Sequence, residues 1–496
     1  MKRKALFRNI ISGFGGQLIV VVLGIIIPRI MISSYGSDAN GVVSTTTQIF
    51  SYLALLEAGI GQSARIALYK PITNNDKYEI SRVFVSAEAY FRKITIYYGI
   101  GVLLISVFVP YFMKSDLFYG TIFLVFLFEG ASGVLSFYFI QTPTILLNAD
   151  GKGYINNYVS LSGKILGYLV KILLAFLGIN IVLIQFGYFV INIVKVIVYR
   201  FYLQKNYSWI DHNCKTDISL LKDKKSYLLT EIAWTIFSST DMVVLSFFVS
   251  TKLSSVYSIY SLIYGSINLL LNAVGGSVLY ILGQVYYKDI EKYTEIHDAM
   301  NTIFIGAMTV LMSVAYILTV PFVQLYTKDV ADINYVYYQL PLFFALVQLL
   351  SWSRYVNGNL TGLAGYARST SYISILEAVV NLILSIILVN KYGIVGVLFA
   401  TVIALPIKVI WCVYISDKRV LHRSYAMSIK TMLVNFIFFF AVVISSNRIK
   451  YEITTYWRFV TYGVVLIIVI GTLDLIANTL VNQNWLRIVK QVIVRK

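Results

Sequence analysis

Apolar residues fill this chain in runs of twenty or more, and polar residues fall either between the runs or inside them at helical spacing. A bilayer core takes roughly 20 apolar residues per helical span. By that measure the chain divides into about fourteen spans, near 10–33, 40–63, 94–113, 117–147, 157–178, 180–200, 227–250, 255–284, 299–326, 333–360, 370–390, 394–416, 430–448 and 457–480. The predicted fold class is an all-α polytopic membrane protein. The first span ends in Ile27-Pro28-Arg29, and a polar hairpin runs from Ser33 to Gly41. The second span contains Leu55-Leu56-Glu57-Ala58-Gly59-Ile60-Gly61 and leaves the bilayer at Ala64-Arg65-Ile66. Pro and Gly are tolerated inside membrane helices where neighbouring helices re-satisfy the backbone. An Arg or a Glu at membrane depth costs on the order of 3 kcal/mol, so it faces a cavity or a partner. An ion pair with Arg29 or Arg65, within its own pair of spans, is one of two readings of Glu57.

The longest polar connection, 201–226, separates two predicted six-helix bundles, 1–200 and 227–416, and a further helix pair follows at 430–480. The two halves echo each other. Gly153-Tyr154 precedes two spans that end in Lys195-Val196-Ile197; about 213 residues on, Gly365-Tyr366 precedes two spans containing Lys408-Val409-Ile410. Gly178-Ile179 and Gly393-Ile394 occupy similar turns between the paired spans. A repeat with an even number of helices per half is a parallel one, related by an axis along the membrane normal.

Composition sharpens this picture. Of 496 residues 58% are hydrophobic and only 13% charged, and the mean hydropathy is +0.75; an ordinary soluble domain is about a quarter charged. The net charge of +18 is distributed by topology. With an even span count both termini lie on one side, and that side collects Lys and Arg in roughly fourfold excess, which makes it cytoplasmic. This distribution argues against a nucleic-acid partner. Lys2–Arg8 followed by a long span reads as a first membrane helix, not as a cleavable signal. Cys214, in a cytoplasmic loop, and Cys412, in a span, are not placed to form a disulfide.

Polar stripes run along several spans. Lys164 and Lys171 are seven apart, on one helical face; the next span carries Asn192 and Lys195. In the second half Asn268 and Asn272 share one span, Glu377 and Asn381 another, and Lys408 a third. Arg29 and Arg354 complete the membrane-depth cations. A cavity lined by Arg29, Lys164, Lys171, Lys195, Arg354 and Lys408, with Asn192, Asn268, Asn272 and Asn381 as polar lining, selects an anionic ligand such as a phosphate. Lysines near the ends of their spans can instead snorkel to headgroups. Glu57, Asp241 and Glu377 serve equally as proton or sodium sites for ion coupling or as ion-pair partners between helices. No cofactor or metal cluster is expected, nor an enzyme: there is no nucleophile–base pairing, His212, His297 and His422 fall in cytoplasmic segments, and the external connections are short for a glycan polymerase or glycosyltransferase.

Ile27-Pro28-Arg29-Ile30, the hairpin Ser34-Tyr35-Gly36-Ser37-Asp38-Ala39-Asn40-Gly41, the Leu55–Gly61 stretch and Ala67-Leu68-Tyr69-Lys70-Pro71 resemble the polysaccharide transporter family. These are Wzx-like oligosaccharide-lipid flippases of the multidrug/oligosaccharidyl-lipid/polysaccharide exporter superfamily. The chain departs from many relatives in carrying Asp38-Ala39-Asn40-Gly41 where they have Leu-Gly-Pro-Glu. The resemblance implies two six-helix bundles plus two helices, working by alternating access in the bacterial cytoplasmic membrane. It implies a polyprenyl-diphosphate-linked oligosaccharide as substrate, for O-antigen, capsule or exopolysaccharide assembly, with a polysaccharide polymerase and chain-length machinery as partners. A drug or cation antiporter of the same superfamily is the alternative, expected to show a dominant buried acid and fewer lysines in its cavity.

Overall fold

The computed structural model describes residues 3–57, 60–217, 225–446, 448, 453–483 and 485; of these, the side chains at 3–18, 57, 60, 62, 225–230, 273–274, 276–278, 280–281, 284 and 481 are not described. The described residues form helices and connecting turns: α1 (Arg3–Ala54), α2 (Ile60–Thr73), α3 (Lys77–Phe112), α4 (Tyr119–Leu135), α5 (Gln141–Ala149), α6 (Gly153–Phe176), α7 (Ile181–Asn206), α8 (Lys225–Phe248), α9 (Thr251–Tyr286), α10 (Ile290–Tyr326), α11 (Leu340–Ser353), α12 (Tyr355–Leu363), α13 (Ala367–Val413), α14 (Ala426–Ser446) and α15 (Tyr456–Val481). Among the described residues, ten helices are long and apolar enough to cross a membrane. Large apolar side chains such as Phe176 and Trp457, 78% and 76% exposed, stand on the outside of these helices. Only a lipid solvent accepts so much exposed hydrocarbon. The protein is a multi-pass membrane protein.

Local chemistry sets the breaks. The predicted hairpin between the first two spans shrinks to one residue, Gly36, whose φ of 83° and ψ of 169° interrupt α1. Gly393, with φ 55°, interrupts α13 between the two spans predicted there. A positive φ is open to glycine at little cost. Gly151 (φ 72°) and Gly365 (φ 85°) turn the chain ahead of α6 and α13, as Gly178 (φ 67°) and Gly393 do between the paired spans. The repeat seen in the sequence is therefore repeated in backbone conformation. Asp76, Asn180, Asp289 and Thr455 cap the helices they precede through side-chain oxygens.

The chain forms two compact units, Met1–Val256 and Tyr257–Lys496. In the first, α4 packs on α3 and on α7, α6 packs on α7, and α1 packs on α6 and α8. Its core is aromatic: Phe50, Tyr98, Phe126 and Phe137 pack with tilted rings whose centroids are 4.6–6.5 Å apart. A line of hydroxyls joins α1 to α8, with Thr45 to Ser246 at 2.5 Å, Ser51 to Ser239 at 2.8 Å and Tyr52 to Thr240 at 2.9 Å. At its end Asp38 accepts from Ser115 Oγ (2.8 Å), the Asp116 amide (2.7 Å) and Thr251 Oγ1. A Cβ at Gly41 would overlap the Thr251 carbonyl, so this approach requires glycine. In the second unit α10 is the central helix, packed by α11, α14 and α15, and α11 and α12 pack on α13.

Candidate functional site

The second span bends where its sequence breaks. α1 ends at Ala54, a short 3-10 turn covers Leu55–Glu57, and α2 starts at Ile60. Opposite it, the helix formed by α4 and α5 is broken by a π-helical turn, Ser136–Ile140; such turns carry an extra residue and cluster at functional sites. Between these two irregularities lies a cavity of about 820 Å³. Its polar wall comes from Gln48 and Ser51 on α1, Arg65 on α2, Gln141 and Thr144 on α5, and Glu231 on α8. Tyr98 and Phe137, tilted against each other with centroids 4.6 Å apart, form an apolar side.

Arg65 dominates the electrostatics of this cavity. It is half-buried, and its Nε is fully enclosed without a hydrogen-bond partner among the described residues. Glu231, by contrast, is exposed. A guanidinium offers five donors in a rigid fork matched to phosphate or carboxylate oxygens. Its field is stronger in the low dielectric of a half-buried site than that of an exposed carboxylate. The remaining lining is neutral amide, hydroxyl and aromatic.

The predicted site residues fall into separate groups. In the first unit, Lys195 on α7 donates to Asn192 Oδ1 at 3.0 Å, and the exposed Lys164 on α6 lies close enough for the two charges to interact. Two turns along both helices, Lys171 sits 4.3 Å from the Tyr188 ring centroid, in the field of Glu129. Gly163 and Gly167 let α7 approach α6: a Cβ at Gly163 would meet Lys195 Cγ at 2.9 Å, and one at Gly167 the Tyr188 ring at 2.8 Å. Arg29 is half-buried in α1 one residue past Pro28. Asp241, 3% exposed on α8, lies in electrostatic reach of Tyr52. Glu57 closes the 3-10 turn, and its side chain lies outside the described residues.

In the second unit Arg354, at the junction of α11 and α12, is bonded to Glu377 on α13; their side chains are 10% and 3% exposed. Lys408, further along α13, lies in electrostatic reach of both. Asn381 donates to Thr401 Oγ1 at 2.8 Å. Asn268 accepts from Asn272 Nδ2 and from Trp352 Nε1, both at 2.9 Å. The structure thus brings Lys164, Lys195 and Asn192 together, and Arg354, Glu377 and Lys408 together. Arg65, Gln141 and Glu231 were not among the predicted site residues. The signal that marks Arg65 is the helix break just before it, at Leu55–Gly61.

Charges outside the membrane segments are paired more fully. Lys152 reaches Asp150 at 2.8 Å and Tyr207 Oη at 3.0 Å. Burial opposes its charge, but these two partners outweigh burial and raise its pKa above the ordinary lysine value.

Neither a family model nor a curated protein sequence matches the chain. Solved structures do. The inward closed conformation of the lipid II flippase MurJ is 16% identical, covers 94% of this chain and 100% of its own, and superposes with a TM-score of 0.68. An inward-facing multidrug resistance MATE transporter of the MOP superfamily is 14% identical over 88% and 99% of the two chains, with a TM-score of 0.66. The MATE multidrug transporter DinF-BH is 16% identical over 86% and 98%, with a TM-score of 0.61. The chain has the fold these transporters share.

Proposed function

We propose that the protein is a flippase that moves a polyprenyl-diphosphate-linked oligosaccharide across the bilayer by alternating access, for assembly of O-antigen, capsule or a related polysaccharide. The observation that carries this reading is the half-buried Arg65, its Nε enclosed without a hydrogen-bond partner among the described residues, on a wall of amides and hydroxyls whose acid, Glu231, is exposed. Such a wall suits a diphosphate attached to a glycan: Arg65 holds phosphate oxygens, Gln48, Gln141 and Thr144 meet sugar hydroxyls, and the prenyl chain stays in lipid. The fold likeness to a lipid II flippase supports the same class of substrate. A cytoplasmic-membrane location, with both termini in the cytoplasm, is part of the proposal.

Coupling to a H⁺ or Na⁺ gradient is also proposed, with Asp241 and Glu57 on the elements around the cavity and Glu377 in the second unit as the candidate acids. Export of an organic cation is the second reading, favoured by Glu231 on the same wall and by the likeness to MATE transporters.

Reconstitution in liposomes separates the two. Proteoliposomes receive a labelled prenyl-diphosphate oligosaccharide or a cationic dye, with each ion gradient imposed in turn. The proposal expects exposure of the glycan to an impermeant reagent, slowed at least ~10-fold by Arg65→Gln, the loss of about 1.4 kcal/mol or more of a charge-assisted contact. Transport of the dye with no movement of the glycan lipid replaces this reading with the antiporter.

A further inference from the structure

The π-helical turn Ser136–Ile140 has a cavity on each side. Ser136 and Phe137 face the cavity described above, while Tyr138 and Phe139 line a second one, of about 720 Å³, bounded by α3, α5 and α7. This second cavity lies at the end of the first unit where the Lys152–Asp150–Tyr207 cluster sits, and Tyr207 forms part of its wall. We propose that it binds the phosphate of an anionic phospholipid, a site separate from the one proposed for transport.

The charge pattern favours an anion. Arg92, Arg200 and His212 line the cavity with one acid, Glu88. That acid is already engaged by Arg92 at 3.2 Å and lies 3.5 Å from His212 Nδ1. Arg200 is exposed, with no ion pair or hydrogen bond among the described residues. Basic pockets between membrane helices near one face of the bilayer are characteristic sites for anionic headgroups.

A second observation points to a bound group. Thr142 lines the same cavity, is only 3% exposed, and its hydroxyl has no hydrogen-bond partner among the described residues. A buried hydroxyl left unbonded is costly and calls for a partner. A phosphate oxygen inside the cavity supplies one.

The walls fit the rest of a lipid. Phe139 is 40% exposed, and on α7, beside the lining residue Val196, Ile197 is 60% and Phe201 67% exposed. This apolar strip lets an acyl chain run along the helix while the headgroup sits against Arg200 and Thr142. A free phosphate would use the polar contacts and leave the strip uncovered.

Native mass spectrometry of the full-length protein, released from detergent containing phosphatidylglycerol, phosphatidylcholine or both, tests the assignment. The wild type is expected to retain one phosphatidylglycerol about fivefold more tightly than phosphatidylcholine. Arg200→Gln is expected to remove about that preference, the contribution of one basic residue near a membrane surface, and Thr142→Val to weaken retention of both lipids alike. Their thermal unfolding is expected to match the wild type. Equal retention of the two lipids, or unchanged retention in both variants, overturns the proposal. Displacement of phosphatidylglycerol by millimolar inorganic phosphate also overturns it, by making the site one for free phosphate. Arg65→Gln is expected to retain the lipid fully, so failure of the transport reading and failure of this one are distinguishable.

Discussion

In the second unit the buried Arg354 guanidinium is bonded to Glu377, with Lys408 in reach of both. In the first unit Lys195 is met by the Asn192 amide and Lys171 by the Tyr188 ring, with Glu129 the acid whose field reaches Lys171. Lys195 and Lys408 hold matching places in the repeat, each opening a Lys-Val-Ile triplet. Glu377 follows Gly163 by the same offset that separates Gly365 from Gly151. The first unit thus has a glycine, against which Lys195 packs, where the second has a carboxylate. The lesson is that one helical repeat has been finished in two ways. The second unit bonds one of its membrane-depth cations, Arg354, to a buried carboxylate on another helix, with Lys408 in reach of both. The first meets Lys195 with an amide dipole and Lys171 with a ring face and the field of Glu129, and the same unit holds the cavity with Arg65.

This contrast can be broken by mutation. The largest effect is expected from Arg354→Ala, which leaves the buried Glu377 without its bonded partner; loss of one partner of a buried pair costs about 3–5 kcal/mol. Unfolding in detergent should show it, and a loss under ~1 kcal/mol would mean that the pair holds nothing together. Gly163→Ala is next. Its new methyl must displace the Lys195 side chain, at about 1–3 kcal/mol. The double variant with Lys195→Ala should recover most of that loss, and an additive double variant would show that the lysine is not what fills the space. The smallest effect belongs to Lys195→Gln, expected to cost under ~1 kcal/mol because a single hydrogen bond to an amide is at stake. A cost equal to that of Arg354→Ala would erase the difference between the units.

Much of the fold was legible in the sequence because the apolar runs have the length of a bilayer, and the turns between them carry glycines that the backbone needs. Gly178 and Gly393 were readable as turns from their places between paired spans. The joining of spans at Gly36 was not, because Ser33–Gly41 has the composition of a full hairpin and becomes a one-residue break only through the bonds that Asp38 makes to Ser115, Asp116 and Thr251. The site was less legible. Arg65 stands at the end of a span, where an arginine reads as an exit to water; its enclosure depends on the break at Leu55–Glu57 and on α8 closing the same cavity. Periodicity also could not show which face of α13 meets α11 and α12, so Arg354 read as a cavity cation and Glu377 equally as a coupling site or an ion-pair partner, whereas the two are bonded to each other.

The central claim is that Arg65, in the cavity of the first unit, receives the substrate anion. The most direct measurement is the affinity of the purified protein for a prenyl-diphosphate oligosaccharide, compared between Arg65→Gln and Lys408→Gln. The account predicts that Arg65→Gln weakens binding at least ~10-fold while Lys408→Gln stays within about twofold. Unchanged binding in Arg65→Gln, together with a large loss in Lys408→Gln, would move the anion to the second unit and contradict it.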